Sequence, residues 1–443
     1  MSALATAPET STSVSAGRQM YALTFASAVA HLFFEEENLC CGMIGERARL
    51  ISKLWRDGLL ARLMDKGLLA PSRPEQRKPY PFAMQLEYTP AVSFVYEWCG
   101  QMWKAAALCI IDLLTELAEC DLTLRAPHPF NLLFDGARPV YVNPGTIAPF
   151  GPQAFETALN RLTRSLFYPL QLCQKGQSRL ARALLRSTVY GIRPEDFPEL
   201  AEMERKLRVD LETSTTEQVL AQLRENVEEV VIPDPDTGWS EYHRDWPLKP
   251  CDRWGHKQWS VHGVLKEMRP RTVLDLAGNL GWYARLAALE GADVVSADLD
   301  ETCVNRLYRR LQYERSRVLP LVLDINDPSP GYGSGGRWFA PATERFEADL
   351  VLALAVTHHL VLSGFRLGFD TVAQTLGGFA RRALLVEFIP YDSDGCPYDR
   401  SSRPDAVSWY DVDHFVRALR HEFRSVSVLP SPPRARRLLL CEK

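Results

Sequence analysis

The chain lacks paired-cysteine motifs. Its ten cysteines contain no CxxC and no regular spacing, and Cys40 and Cys41 are adjacent. A clustered zinc or other metal site is therefore not expected, and reduced, mostly buried thiols in a cytoplasmic protein are. A long uninterrupted apolar run is also missing. The most apolar stretch, AAALCIIDLLTELAEC, is broken by Asp112, Glu116 and Glu119, so it reads as a core helix and not as a bilayer span. The opening MSALATAPETSTSVSAGR has neither the basic start nor the apolar centre of a secretory signal and reads as a disordered tail. Charge of one sign is scarce too. Fifty-one Lys and Arg face 55 Asp and Glu, a net charge of −4, which argues against a general nucleic-acid or membrane-surface binder.

A length of 443 residues suggests two or three domains. Prolines and glycines cluster in IPDPDTGWSEYHRDWPLKPCDRWG, residues 232–255, with Trp239, Tyr242, Trp246 and Trp254 among them. The punctuation marks a junction, and the aromatics predict a connector packed over the following domain and its cofactor mouth. The expected organisation is a tail at 1–17 and a mainly helical unit at 18–235 that covers or selects substrate. A connector at 236–255 and a cofactor domain at 256–443 follow. Asp135-Gly136 between two apolar runs predicts a small β hairpin in the first unit.

The second unit alternates strand and helix patterns. RTVLDLA, DVVSADLD, VLPLVLDIND, FEADLVLALAV and RRALLVEFIP read as strands, with helical segments between most of them. This predicts an α/β fold with a Rossmann-like, doubly wound, mostly parallel sheet. SVSVLPS and RRLLLCEK, joined by the Pro-rich SPPRA, predict a hairpin that sets an antiparallel last strand at the end of the sheet.

Residues 273–300 read VLDLAGNLGWYARLAALEGADVVSADLD, the layout of a nucleotide-binding β-α-β unit. The turn Ala277-Gly278-Asn279-Leu280-Gly281 is small enough for close backbone approach by a ligand at the sheet's carboxyl edge. A dinucleotide would need GxGxxG spacing to seat its pyrophosphate on the helix N-terminus. This turn lacks that spacing, and the helix opens on the bulky Trp282 and Tyr283. S-adenosylmethionine carries a sulfonium, an ammonium and a carboxylate but no phosphate, and suits the turn better. Asp275, closing the first strand, is placed to pair with the cationic methionine end, directly or through water. Asp298, closing the second, is placed to accept from the ribose hydroxyls, and Asp324, closing the third, from the adenine amino group. Leu299, Ile325 and Leu354 join Ala277, Gly278, Asn279 and Gly281 as the other expected cofactor contacts. Any one of these acids alone would read as a helix cap or turn residue. Trp282 and Tyr283 suggest either a cation-friendly wall near the sulfonium or core packing.

Methyl transfer is an in-line displacement that mainly needs the nucleophile and methyl held in line. A base is required only where the nucleophile carries a proton. Thr357, His358 and His359 follow the fourth strand, where the methyl would face. Either imidazole can act as base or simply bond to backbone, with His358 favoured by strand direction. Glu387, near the end of the fifth strand, can orient a substrate amine or a His, or be the buried partner of Arg381 or Arg382. Asp392 and Asp394 read as turn formers.

VLDLAGNLG resembles the cofactor motif of class I S-adenosylmethionine-dependent methyltransferases. VYEWCGQMWKAAALCIIDLL, LTLRAPHPFNLLFDGARPVYVN, LFYPL, LAVTHHL and VEFIP resemble a subgroup of large two-domain bacterial members. That subgroup includes nodulation-protein-like and natural-product methyltransferases. The resemblance implies methyl transfer to oxygen, nitrogen or carbon of a small molecule in specialised metabolism. It departs at Ala277, in a glycine slot, and at Ala126 and Val142-Asn143, where the subgroup has acids. Asn131 and its hairpin also resemble a degenerate kinase loop, but the base and metal-binding acids are absent, which argues against phosphotransfer. The other readings are a silent cofactor-binding scaffold and a nicotinamide oxidoreductase, the latter disfavoured by the turn. Oligomeric state is not legible. The Gly/Ser-rich loop at 328–345 predicts a mobile segment that shapes the acceptor pocket.

Overall fold

The computed structural model describes residues 30–443 except 36–37, 89–90, 126, 189, 242–245, 334–335, 337–338, 363–365, 392–408 and 431–435. The tail, Ala126, Tyr242, Asp392, Asp394 and the SPPRA turn lie outside the described residues.

In the C-terminal unit the apolar runs form strands β9 to β15. These are Thr272–Leu276, Asp293–Asp298, Val318–Val322, Ala348–Ala353, Ala380–Phe388, Ser425–Leu429 and Arg437–Glu442, since β1 to β8 precede them in the chain. They build one sheet in the order β11-β10-β9-β12-β13-β15-β14. β9 to β13 pair in parallel, and β15 runs antiparallel to both β13 and β14. The chain reverses direction of travel between β9 and β12, so the carboxyl edge there opens a crevice.

The antiparallel strand does not sit at the end of the sheet, as its place in the sequence suggests. β15 inserts between β13 and β14. Leu438, Leu439 and Cys441 of β15 are fully buried, whereas Val428 of β14 is exposed. The more apolar strand takes the interior place and the Ser/Val strand forms the edge.

The N-terminal unit is centred on helix Gly100–Ala118, the interrupted apolar run of the sequence, whose Trp103, Ile110, Ile111 and Leu114 are buried. β6 (Leu132–Asp135) and β7 (Arg138–Tyr141) form the hairpin around Asp135-Gly136. The helical pattern missed an antiparallel sheet. Its strands are β1 (Ala30–Glu35), β2 (Asn38–Met43), β3 (Ser72–Glu75) and β4 (Phe82–Leu86), in the order β1-β2-β4-β3. β5 (Leu122–Leu124) pairs with β8 (Ile147–Pro149).

The two units share one core. The first backbone N–H groups of helix Gly100–Ala118 donate across the boundary, Gly100 to Glu301 Oε1 at 3.1 Å and Gln101 to Asn305 Oδ1 at 3.0 Å. These side chains satisfy donors that a helix start leaves open. Part of the 328–345 loop is anchored, contrary to the mobility its composition suggests. Phe339 is buried with its ring 4.5 Å from Phe130 and 5.2 Å from Phe94, and Arg345 pairs with buried Glu97. Aromatic and charged anchors override the flexible Gly/Ser composition.

Candidate functional site

β9 ends in a tight turn in which Ala277, Asn279 and Gly281 have φ of 54°, 53° and 69°. Gly278 permits it. A Cβ there would lie 2.4 Å from Ser296 Oγ and 2.9 Å from Asp275 Oδ2, and one on Gly281 would strike Leu307 at 2.6 Å. Ala277 occupies the left-handed region with a side chain, which costs about 1–2 kcal/mol. Ala277→Gly relieves this at an entropic cost of about 0.5–1 kcal/mol. A net gain of about 0.5–1 kcal/mol is expected, read as a raised unfolding midpoint; a lowered midpoint would refute the strain.

The turn is tied to its acids. Asp275, buried beneath it, accepts the Ala284 N–H at 3.1 Å. Asp298, at the end of β10, accepts the N–H groups of Asn279 at 2.7 Å and Asp300 at 2.8 Å. Asp324 follows β11 and accepts from the Asn326 backbone at 2.8 Å. Ile325 and Leu354 are buried beside these edges and Leu299 is exposed. The three acids thus stand at the carboxyl ends of three neighbouring strands, Asp275 and Asp298 within theirs and Asp324 just after its own. Asn279 donates its side-chain amide to Trp239 O at 2.9 Å, while its Oδ1 is buried without a hydrogen bond.

Burial pushes the Asp275 carboxyl up to about 7 and the Asp298 carboxyl up to about 6. An unfolded aspartate titrates near ~3.9, so the folded state holds these protons more tightly. The resulting stabilisation is complete below about pH 4 and is lost as pH rises through about 6 and about 7. The unliganded protein is expected to lose stability over that window, and Asp275→Asn to flatten the slope. Thermal melts across the window test this, and an unchanged slope in the variant would exclude Asp275 as its source.

At the β12 edge, Thr357 and His358 open helix Thr357–Leu362 and are buried. The rings of His358 and His359 lie 4.0 Å apart, and His358 Nδ1 is buried without a hydrogen bond. Burial, then His359, Arg436 and Lys257, pushes His358 down to about 3, and burial also lowers His359. Glu387, 2% exposed, pairs with Lys257 Nζ at 2.5 Å and with Arg436 at 3.6 Å. It does not pair with Arg381, which reaches Glu347 at 3.2 Å and Asp349 at 3.4 Å. Those residues lie at opposite ends of β13, about 20 Å apart for a strand of that length. Lys257 and Arg436 escaped sequence reasoning because each lies far from Glu387 in the chain.

The connector crosses this edge. Trp239 packs edge-on against His359 with ring centroids 5.1 Å apart. Through its carbonyl on Asn279 it also bridges the β9 turn to the β12 edge. Thr237 donates to Asp300 at 2.5 Å, and Arg306 holds Asp234 at 2.7 Å and Asp236 at 2.8 Å. Trp246 and Trp254 stack edge-on against buried Trp282, at 6.1 and 5.4 Å. Lys257 lies over the buried ring of Tyr283 at 5.4 Å. The two aromatics are therefore built into the core and the connector, and do not form an open wall for a cation.

No family model matches the chain. It is 25% identical over 387 residues to nodulation protein NoeA of Rhizobium meliloti (strain 1021), covering 80% of each chain. The nodulation-protein-like resemblance of the sequence motifs is thereby borne out. The C-terminal unit is a Rossmann-like, doubly wound α/β sheet, mostly parallel. Among solved structures, magnesium protoporphyrin IX methyltransferase (ChlM) from Synechocystis PCC 6803 is 15% identical, over 47% of this chain and 91% of that one, with a TM-score of 0.30. WbdD is 20% identical over 46% of this chain and 42% of that one, with a TM-score of 0.31. Superpositions of that quality say nothing about the site. Within this fold, the turn and its acids lie at the crevice edge, and the two histidines stand on the helix Thr357–Leu362 that follows β12. Among the described residues there is no group of His, Cys, Asp and Glu able to hold a metal, and no helix long and apolar enough to cross a membrane.

Proposed function

We propose that the protein is an S-adenosylmethionine-dependent methyltransferase acting on a small-molecule acceptor. The observation that carries this reading is the Gly278 turn, held by Asp275 and Asp298 at the crevice of a doubly wound, mostly parallel sheet. The residues fit that cofactor. Gly278 lets the turn close tightly onto Ser296 and Asp275, the buried Asn279 Oδ1 still lacks a donor, and the acidic side chains suit a cationic ligand without phosphate. Asp275 would hold the methionine end, Asp298 the ribose hydroxyls, and Asp324 the adenine amino group, with Ala277, Leu299, Ile325 and Leu354 lining the approach. When bound, the cofactor supplies an electrophilic methyl group.

The protein's own work is to orient the acceptor and exclude water. Trp239 and the connector cover the edge between the turn and His359. His358 is a poor base. Moving a proton from a phenolic hydroxyl of pKa ~10 to a group near 3 is uphill by about 10 kcal/mol. Positioning the acceptor, with Glu387 holding Lys257 and Arg436 in place, is the role that better suits this edge. The kinship with a nodulation protein supports an acceptor from specialised metabolism.

Calorimetry of the purified protein with S-adenosylmethionine, its demethylated product and NAD tests the reading. Heat is expected for the first two only. Binding of NAD alone, or of none of the three, would overturn it.

A further inference from the structure

The N-terminal unit holds a buried guanidinium without a counterion. Arg47 stands in the first turn of helix Gly45–Arg56 and is only 8% exposed, yet its Nη1 is buried with no hydrogen bond. An unpaired buried charge costs more free energy than an unpaired buried amide, so a ligand that completes it gains on binding.

The surroundings add positive charge. Helix Gly45–Arg56 packs against the Pro144–Thr146 turn and β8. Arg125, just after β5, joins the same corner by donating its backbone N–H to Thr146 O at 2.9 Å. Burial, then the charge of Arg125, holds the Arg47 guanidinium below its ordinary range. Among the described residues no carboxylate pairs with either arginine, and Glu46, beside Arg47, is held by Arg49 at 2.6 Å. The other polar groups here are neutral and engaged with one another. Cys41, its thiol pushed up to about 12 by burial, donates to Asn143 at 3.3 Å. Asn143 donates to Asn131 at 3.0 Å, and the Tyr141 and Thr146 hydroxyls bond at 2.8 Å. The helix start itself favours an anion. Ile44, its N-cap, offers no side-chain acceptor, and a Cβ on Gly45 would meet nothing within 4 Å, so there is room before the first N–H groups.

We infer that this corner of the N-terminal unit binds a phosphate group, with Arg47 and Arg125 supplying the charge and the start of helix Gly45–Arg56 supplying N–H donors. The inference goes beyond the methyltransferase reading and does not depend on it. A phosphate monoester carries close to two negative charges at neutral pH and accepts the paired N–H groups of an arginine. A carboxylate would neutralise only one of the two guanidiniums. Arg125 is exposed and Arg47 is not, so the ligand passes the first cation to reach the second. Asn131 and Asn143 are amides and offer no carboxylate for a base or a metal, so the group is held and not transferred.

The full chain is titrated calorimetrically with inorganic phosphate, phenyl phosphate and acetate at one ionic strength. Both phosphates are expected to bind at least about tenfold more tightly than acetate. Their ranking then separates an organic ester from the free ion as the natural source. Arg125→Gln, at an exposed position, should weaken both phosphates about tenfold. Arg47→Met should abolish phosphate binding and, without phosphate, raise the unfolding midpoint, because it removes an orphaned buried charge. Neither variant should change S-adenosylmethionine binding, which is titrated separately; its failure in the unaltered protein would sink the cofactor reading alone. No binding of either phosphate, acetate bound as tightly, or phosphate affinity unaltered in both variants overturns the inference. So does a lowered midpoint in unliganded Arg47→Met, which would show that the guanidinium already has a partner.

Discussion

Glu97→Gln is expected to lower stability by roughly 3–5 kcal/mol, the cost of leaving a buried charge without its partner. Glu97 and Arg345 are 1% and 5% exposed, one from each unit. Arg345 bonds Glu97 at 2.9 Å and the Val92 carbonyl at 2.8 Å, and its guanidinium lies 4.2 Å over Phe94 and 4.6 Å over Phe346. Glu97 also accepts the Phe94 N–H at 2.8 Å. Glutamine keeps the shape and removes the charge, so an unpaired guanidinium remains in the shared core. A fall in melting temperature of about 10 °C is expected. The pair Glu97→Gln with Arg345→Met should cost less than the sum of its parts, because the second change removes the orphaned charge. Additive losses, or a single-variant loss below about 1 kcal/mol, would show that water reaches the pair and that the units are not sealed there.

The second large effect is on cofactor affinity. Asp298→Ala is expected to weaken S-adenosylmethionine binding by about a hundredfold, or about 3 kcal/mol. Charge-assisted hydrogen bonds to the ribose contribute on that scale. The loss has a local component as well, since the Asn279 and Asp300 N–H groups lose their acceptor and the turn loosens. Asp298→Asn keeps acceptor oxygen but not charge, and should fall between the two. Calorimetry reads all three proteins, and hydrogen exchange at the Asn279 amide reads the turn separately. Unchanged affinity in the alanine variant would remove Asp298 from the site.

Much of this was legible along the chain. Each parallel strand of the C-terminal sheet announces itself as a continuous apolar run, because strands covered on both faces must be apolar on both. The helices between them carry their own period. Asp275, Asp298 and Asp324 could be placed at the edge because each directly follows or closes such a run. The sheet of β1 to β4 was not legible. Its strands are short, β3 contains Pro74, and β2 pairs with β4 across some forty residues. No local pattern records that partnership. The embedded position of β15 also escaped, since a hairpin of two consecutive strands fits a sheet edge either way round. What chose between them was the burial of Leu438, Leu439 and Cys441.

The linear order of residues determined the β-α-β unit, its phosphate-free turn and the acids beside it. These are local consequences of apolar periodicity and small side chains. Only the tertiary structure decided that Trp239 lies across the edge, that Arg345 enters the shared core, and that Lys257 and Arg436 converge on Glu387. Those contacts join segments distant along the chain, and they form because buried charges must find partners wherever packing brings them.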